Sequence, residues 1–146
     1  MNQLPVDYPV ALTLALVDLP SVAGDEARTA SAVEAALRAA GYGEDPRLEI
    51  LRDGDAVCAR THLGLPQRVV LAGHLDTVPI AENVPGRLEV RDGVEVVWGR
   101  GSVDMLGGCA AALALACEAG AVIRGGAREA PTADVPWIFY AHGGRL

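Results

Sequence analysis

Residues 69–79 read Val-Val-Leu-Ala-Gly-His-Leu-Asp-Thr-Val-Pro, and residues 98–105 read Trp-Gly-Arg-Gly-Ser-Val-Asp-Met. The apolar, β-branched start of the first stretch predicts a buried strand over residues 68–73. Its polar residues follow at the C-terminal end, where open α/β sheets bind their ligands. This segment therefore decides both the predicted fold and the predicted functional site.

Three polar side chains of this segment are candidates for a metal site. His74 and Asp76 are two residues apart, so on an extended chain they project to the same side. Asp104 follows a glycine-rich turn and precedes an alanine-rich stretch, which predicts a carboxylate at a strand-to-helix junction. An imidazole ligand with a nearby carboxylate that orients it is typical of metal centres. A His-x-Asp triplet also occurs by chance, and taken alone it favours a hydrogen-bonded histidine at a strand end.

The longer strings carry a family resemblance. Gly-His-Leu-Asp-Thr-Val-Pro at 73–79, followed by Gly-Arg-Gly-Ser-Val-Asp-Met-Leu-Gly-Gly at 99–108, resembles the M20 family of dinuclear metallo-amidohydrolases and peptidases. Within that family, residues 74–80 and the stretch Pro-Ser-Val-Ala-Gly-Asp-Glu at 20–26 are similar to the succinyl-diaminopimelate desuccinylases. The resemblance implies an α/β fold with a zinc-peptidase-like mixed sheet flanked by helices. It makes residues 1–146 the N-terminal part of an incomplete catalytic domain that lacks the family's lid and dimerisation domain.

The resemblance also implies the chemistry of the site. His74 and Asp104 would be metal ligands, with Asp104 bridging two ions, and Asp76 would be the catalytic carboxylate that orients His74. Two Zn²⁺ ions are expected per intact site, and Co²⁺ is able to substitute. The implied enzyme is a hydrolase that converts N-succinyl-LL-2,6-diaminopimelate to succinate and LL-2,6-diaminopimelate, in lysine and diaminopimelate biosynthesis. Two alternatives stay open: another M20 amidohydrolase, such as an acetylornithine deacetylase or a dipeptidase, and a non-catalytic fragment with at most weak metal binding.

The sequence departs from the family pattern at its end. The family has two consecutive glutamates after the strand that corresponds to residues 137–140, whereas this chain has Gly143 and Gly144 there. Glycine has no side chain to act as a base or a ligand, so we expect the chain alone to be inactive and poorly soluble. A frameshifted gene and a natural truncation are both compatible with this ending.

Composition limits the partners. The net charge is −7, and all twelve basic residues are arginines without a basic cluster, so nucleic acid and anionic membranes are not expected to bind. We find neither a signal peptide nor a run of about 18 to 20 apolar residues, which predicts a cytoplasmic protein. A small-molecule substrate is expected, and the resemblance implies a homodimeric parent. The three cysteines are predicted to be reduced thiols, mostly buried: Cys58, Cys109 and Cys117.

Periodicity and turn residues predict the remaining elements. Helices are expected over residues 9–19, 26–40 and 105–118, with Asp25 capping the second and Gly120 ending the third. Hairpin strands are expected over residues 47–52 and 56–61 and over 88–91 and 94–98. A loop at 80–86, a linker at 121–135 and a strand at 137–140 complete the prediction. His62 is predicted to be an ordinary surface histidine, and Arg100 is predicted to pair with a local acid in preference to a substrate carboxylate.

Overall fold

The computed structural model describes residues 3–126 and 131–141. Three helices and six strands form in chain order: α1 Pro9–Asp18, α2 Ala27–Ala39, β1 Leu48–Asp53, β2 Ala56–Thr61, β3 Leu71–His74, β4 Arg87–Arg91, β5 Val94–Trp98, α3 Gly107–Gly125 and β6 Pro136–Tyr140. A tight turn over Ser102–Leu106 leads into α3. The predicted α/β class is confirmed.

The main sheet is mixed and has the strand order β1-β2-β6-β3. The pairs β1–β2 and β2–β6 are antiparallel, whereas β3 and β6 are parallel. The last pair aligns Leu71 with Trp137 and His74 with Tyr140, so both strands end at the same edge of the sheet. That edge holds the predicted site.

The strands β4 and β5 form a separate two-stranded hairpin. Its turn residues Asp92 and Gly93 have φ values of 51° and 78°. Positive φ at both central residues is the requirement of the turn that Asp-Gly favours, because its twist matches that of the flanking strands. Both predicted hairpins are therefore confirmed.

The core lies between the helices and the sheet. Helix α3 contributes seven buried residues, all small or aliphatic apart from the thiols: Cys109, Ala110, Leu113, Ala116, Cys117, Gly120 and Ile123. Tyr42 donates a hydrogen bond of 2.9 Å to the Ala116 carbonyl and lies edge-on to Trp137, with ring centroids 6.2 Å apart. Alanine, valine and leucine thus form most of the core, and few aromatic side chains are needed.

Residues Ser102–Gly125 are long and apolar enough to cross a membrane by length and composition alone. The prediction that no stretch meets this criterion is therefore wrong. The buried face of α3 packs against α1, α2 and the sheet. A core helix passes the same test, so the criterion is met here by a helix of the core.

The predicted buried strand before His74 is corrected in two ways. The strand is shorter than expected, Leu71–His74, and its start is exposed: Val69 is 52% exposed, Val70 56% and Leu71 37%. The reason is its position, because β3 is the last strand of the sheet in the described part of the chain. Its side chains have a neighbouring strand on one side only.

Two predicted helix ends are also wrong. Helix α3 continues through Gly120 to Gly125, and Gly126 ends it with a left-handed φ of 64°. A Cβ atom at Gly120 would lie 2.6 Å from the Ala40 carbonyl oxygen, so this glycine permits close packing against the end of α2. The helix thus includes the start of the predicted linker, whose residues 127–130 lie outside the described ranges. The second correction is that Asp25 does not cap α2, since Glu26 occupies the N-cap position.

Candidate metal centre

His74 is the last residue of β3 and is fixed through one ring nitrogen. Its Nδ1 atom lies 3.0 Å from the backbone carbonyl oxygen of Asp76. A carbonyl oxygen can only accept, so Nδ1 carries the proton and donates it. In a neutral ring Nε2 is then left with a free lone pair. Nδ1–H···O=C bonds of this kind set the orientation of metal-binding histidines.

The other nitrogen of His74 faces Asp104. The distance from His74 Nε2 to Asp104 Oδ1 is 3.1 Å, and the Asp104 side chain is 82% exposed. With Nδ1 already donating, a neutral ring would place two acceptors in contact. The Nε2 lone pair therefore faces a carboxylate oxygen, an arrangement that a metal cation bound by both groups would satisfy. The structure thus brings together the two predicted metal ligands.

The turn that carries Asp104 depends on glycine. Gly101 has a φ of 71°, a conformation that side chains with a Cβ atom rarely adopt. A Cβ atom there would also collide with the side chain of Thr77. Gly99 is similarly constrained, since its Cβ atom would lie 2.6 Å from Val17 Cγ1. The approach at Gly101 brings the Asp104 turn against the segment that follows His74, and the approach at Gly99 brings it against helix α1.

Asp76 contacts the His74 ring mainly through its backbone carbonyl oxygen, which lies closer to Nδ1 than its carboxylate does. Its carboxylate Oδ1 lies 3.5 Å from His74 Nδ1 and is buried without a hydrogen-bond partner among residues 3–126 and 131–141. The strand ends at His74, and Leu75 is completely buried. Burial alternates through Leu75, Asp76 and Thr77, so His74 and Asp76 lie on the same side of the chain, as predicted. The Asp76 carboxylate is left available for a further partner.

The pair of side chains fits a metal ion in part. Two ligand atoms on one tetrahedral Zn²⁺ are about 3.4 Å apart, given metal–ligand distances of about 2.0 to 2.1 Å. The observed 3.1 Å between His74 Nε2 and Asp104 Oδ1 needs only a small adjustment. Within the described ranges, no group of three or more His, Cys, Asp or Glu side chains is arranged to hold a metal ion. His74 and Asp104 are therefore a pair of candidate ligands within reach of one ion.

Cys109 is a neighbour of the site that sequence reasoning did not identify. Its thiol donates to the His74 carbonyl oxygen, with Sγ 3.2 Å from that atom. Burial raises the pKa of Cys109 to about 12, so the thiol stays protonated and supports the backbone of His74. Gly73 leaves room for this thiol, because a Cβ atom there would lie 2.8 Å from Cys109 Sγ, a contact between distant residues that the sequence does not indicate.

Two other candidates are placed away from this pair. His62 is exposed after β2, as predicted. Arg100 is 3% exposed, and its side chain binds backbone carbonyls at the end of α1. Arg100 forms no salt bridge with an acid within the described ranges, so its predicted ion pair is wrong.

Known proteins resemble this chain in sequence. Residues 70–124 match the model of peptidase family M20/M25/M40. The chain is 46% identical over 132 residues to the DapE protein of Mycobacterium tuberculosis, covering 90% of this chain and 32% of that protein. It is 48% identical over 102 residues to the succinyl-diaminopimelate desuccinylase of Corynebacterium glutamicum, covering 70% and 26%. The chain thus spans about a third of the length of these relatives or less.

Solved structures share the fold at low sequence identity. Aminopeptidase PepT from Bacillus cereus superposes with a TM-score of 0.60 at 19% identity, over 96% of this chain and 37% of that one. Human carnosine dipeptidase 1 gives a TM-score of 0.64 at 17% identity, over 92% and 31%. The matched segment contains the contact between His74 and Asp104. From the family match and the relatives together we conclude that the chain belongs to peptidase family M20/M25/M40.

Proposed function

We propose that this chain contributes the first metal ligands of a metal-dependent amide hydrolase that acts on N-succinyl-LL-2,6-diaminopimelate. The products are succinate and LL-2,6-diaminopimelate. The proposal is supported by the family match and by a Corynebacterium glutamicum relative, 48% identical, that is a succinyl-diaminopimelate desuccinylase. The assignment of the substrate rests on these relatives alone, whereas the metal chemistry is also supported by the geometry of the site.

The observation that carries the metal chemistry is the contact between His74 Nε2 and Asp104 Oδ1 at 3.1 Å. Because Nδ1 is committed to the Asp76 carbonyl, Nε2 presents its lone pair to the Asp104 carboxylate, and a shared cation satisfies both acceptors. Zn²⁺ is the first candidate for an imidazole and carboxylate pair, and Co²⁺ substitutes at such sites. When bound, Zn²⁺ supplies a Lewis acid that polarises an amide carbonyl.

The remaining residues of the site fix His74 in place. The Asp76 carbonyl holds Nδ1, and the Cys109 thiol holds the backbone carbonyl of His74. The free carboxylate oxygen of Asp76 lies close enough to act on the same ring through electrostatics. These contacts keep Nε2 directed at Asp104 before any ion binds.

The whole enzyme needs more groups than this pair. We expect two Zn²⁺ ions in a complete site, of which His74 and Asp104 hold part, and therefore no hydrolysis by this chain alone. A cytoplasmic homodimer that takes a small-molecule substrate is the expected setting. The net charge of −7 supports a partner other than nucleic acid.

Zinc titration of the chain tests the metal site. We expect His74→Ala and Asp104→Ala to weaken Zn²⁺ binding by roughly tenfold or more. Substituting residues that only hydrogen-bond to metal ligands already lowers metal affinity by about that factor. The matched control is His62→Ala, which removes an exposed histidine and should bind Zn²⁺ like the wild type. Isothermal titration calorimetry on the four proteins measures these differences.

The contrary result is equal Zn²⁺ affinity in the wild type and His74→Ala. Binding would then come from other groups, and the metal-site assignment would be abandoned. The non-catalytic alternative would remain.

A further inference from the structure

Arg100 is buried in the turn that leads to Asp104. Only 3% of the residue is exposed, and it lies between the two glycines that bring this turn against Val17 and Thr77. A buried guanidinium needs acceptors, because an unpaired buried charge is very costly. The acceptors of Arg100 therefore indicate what it holds.

The guanidinium binds the end of helix α1. Its Nη2 atom donates to the Leu19 carbonyl at 2.6 Å and to the Val17 carbonyl at 3.1 Å. These carbonyls belong to the last turn of the helix and to its C-cap residue Leu19, where the macrodipole favours a cation. Burial lowers the pKa of Arg100, and the nearby charge of Asp18 opposes this effect. The side chain remains charged, because arginine does not deprotonate in proteins.

The same atom reaches the segment that follows His74. Nη2 lies 3.3 Å from Ser21 Oγ, and the Ser21 carbonyl accepts hydrogen bonds from Thr77 N at 2.7 Å and from Thr77 Oγ1 at 3.0 Å. Thr77 directly follows Asp76. Arg100 is therefore linked through Ser21 to the short segment that contains both His74 and Asp76.

The backbone of Arg100 adds a third connection. Its N–H donates to the Asn83 carbonyl at 2.7 Å, which ties the 80–86 loop to the Asp104 turn. The Nε atom is buried without a hydrogen-bond partner in the described part of the chain. A substrate carboxylate has little access to a residue this well covered, so a role in holding the structure fits better than ligand binding.

We propose that Arg100 is a positioning residue for the metal pair, which fixes the Asp104 turn against the His74–Thr77 segment through the end of α1. This inference rests on the proposed metal site. The physical reason is that the two ligands lie on separate segments, which are brought together by contacts around Arg100 and Thr77. Loss of the guanidinium leaves the Val17 and Leu19 carbonyls without their donor, so the distance between His74 and Asp104 becomes more variable.

The test compares Arg100→Met and Arg100→Lys with Arg91→Met. Arg91 pairs with Glu89 on the exposed hairpin, so its variant controls for the loss of an arginine and its charge. Zn²⁺ affinity is measured by calorimetry, folding by thermal melting, and local opening by amide hydrogen exchange at Thr77 and Leu106. Thr77 N donates to Ser21, and Leu106 N donates to Gly101 at 2.8 Å.

We expect Arg100→Met to bind Zn²⁺ about 10- to 100-fold more weakly, with faster exchange at Thr77 and Leu106. Arg100→Lys should fold and fall between the wild type and Arg100→Met, because an ammonium keeps the charge but not the planar fork. If Arg100→Met does not fold, a clear loss of affinity in folded Arg100→Lys supports the proposal. Arg91→Met should match the wild type in affinity and exchange.

Two results overturn the inference and are distinguishable. A lower melting temperature with unchanged Zn²⁺ affinity in the folded Arg100 variants would leave Arg100 a purely structural residue, while the proposed function stands. Equal Zn²⁺ affinity in the wild type and His74→Ala would remove the metal site itself, and the positioning role with it.

Discussion

Asp134 shows how much a single carboxylate can organise in this protein. It is 2% exposed and accepts hydrogen bonds from the Leu63 N–H at 2.8 Å, the Leu65 N–H at 3.0 Å and the Thr61 hydroxyl at 2.8 Å. These donors, the Leu63 N–H first, lower the pKa of Asp134 below its ordinary value of 3.8. The carboxylate thereby fixes the connection from β2 to β3, the strand that carries His74.

Replacing Asp134 should destabilise the fold in a pH-dependent way. Asp134→Ala leaves buried donors unpaired, and we expect a loss of about 1 to 3 kcal/mol in the free energy of unfolding at pH 7. Because the folded pKa is lowered, the stabilisation is complete above the unfolded pKa and is lost as the pH falls through the folded pKa. Urea unfolding of both proteins at pH 7 and at about pH 3 measures the difference, which should shrink at the lower pH.

The control for this experiment is Asp53→Ala, which removes an exposed carboxylate at the end of β1. A change within about 0.5 kcal/mol is expected for such a site. A difference between the wild type and Asp134→Ala that is the same at both pH values would contradict the role assigned to the charge.

At the scale of elements, the glycines of α3 have two different roles. Gly120 lies inside the helix, where a Cβ atom would come 2.6 Å from the Ala40 carbonyl oxygen and 3.1 Å from Tyr42 Cε2. Gly125 is the last residue of the helix, and a Cβ atom there would meet nothing within 4 Å. Helix propensity favours alanine over glycine at both positions, so only packing distinguishes them.

Matched alanine substitutions test this distinction. Gly125→Ala should stabilise the protein by up to about 1 kcal/mol, the propensity difference between the two residues. Gly120→Ala should instead destabilise it, because the new methyl group would force α3 away from the end of α2. Thermal melting of the two variants beside the wild type measures both effects. Equal shifts in the same direction would contradict the packing role of Gly120.

Local sequence patterns predicted that these helices and strands form, but they did not predict which distant residues the elements contact. Asp92-Gly93 predicted its hairpin, because the positive φ that the turn requires is a property of those residues themselves. Gly120 was taken as a helix end because its contact with Ala40 is made between distant parts of the sequence. For the same reason the acceptors of Arg100, on another helix, were not predicted.

At the scale of the whole molecule, the predicted fold class and the approach of His74 to Asp104 are both found in the structure. The exposure of β3 was not predicted, since an apolar run indicates burial but not the strand's place in a sheet. The sequence pattern also did not predict that the Asp76 backbone carbonyl would bind His74, because this contact depends on where β3 ends. The sequence motif thus predicted which two side chains meet, whereas the contacts around them are known only from the structure.

The most direct test of the central claim is hydrolysis by a chimera. Residues 70–124 of this chain would replace the matching segment of the Corynebacterium glutamicum desuccinylase, which is 48% identical over 102 residues. We predict succinate release from N-succinyl-LL-2,6-diaminopimelate, abolished by His74→Ala within the transplanted segment. A chimera that folds and binds Zn²⁺ but releases no succinate would contradict the account.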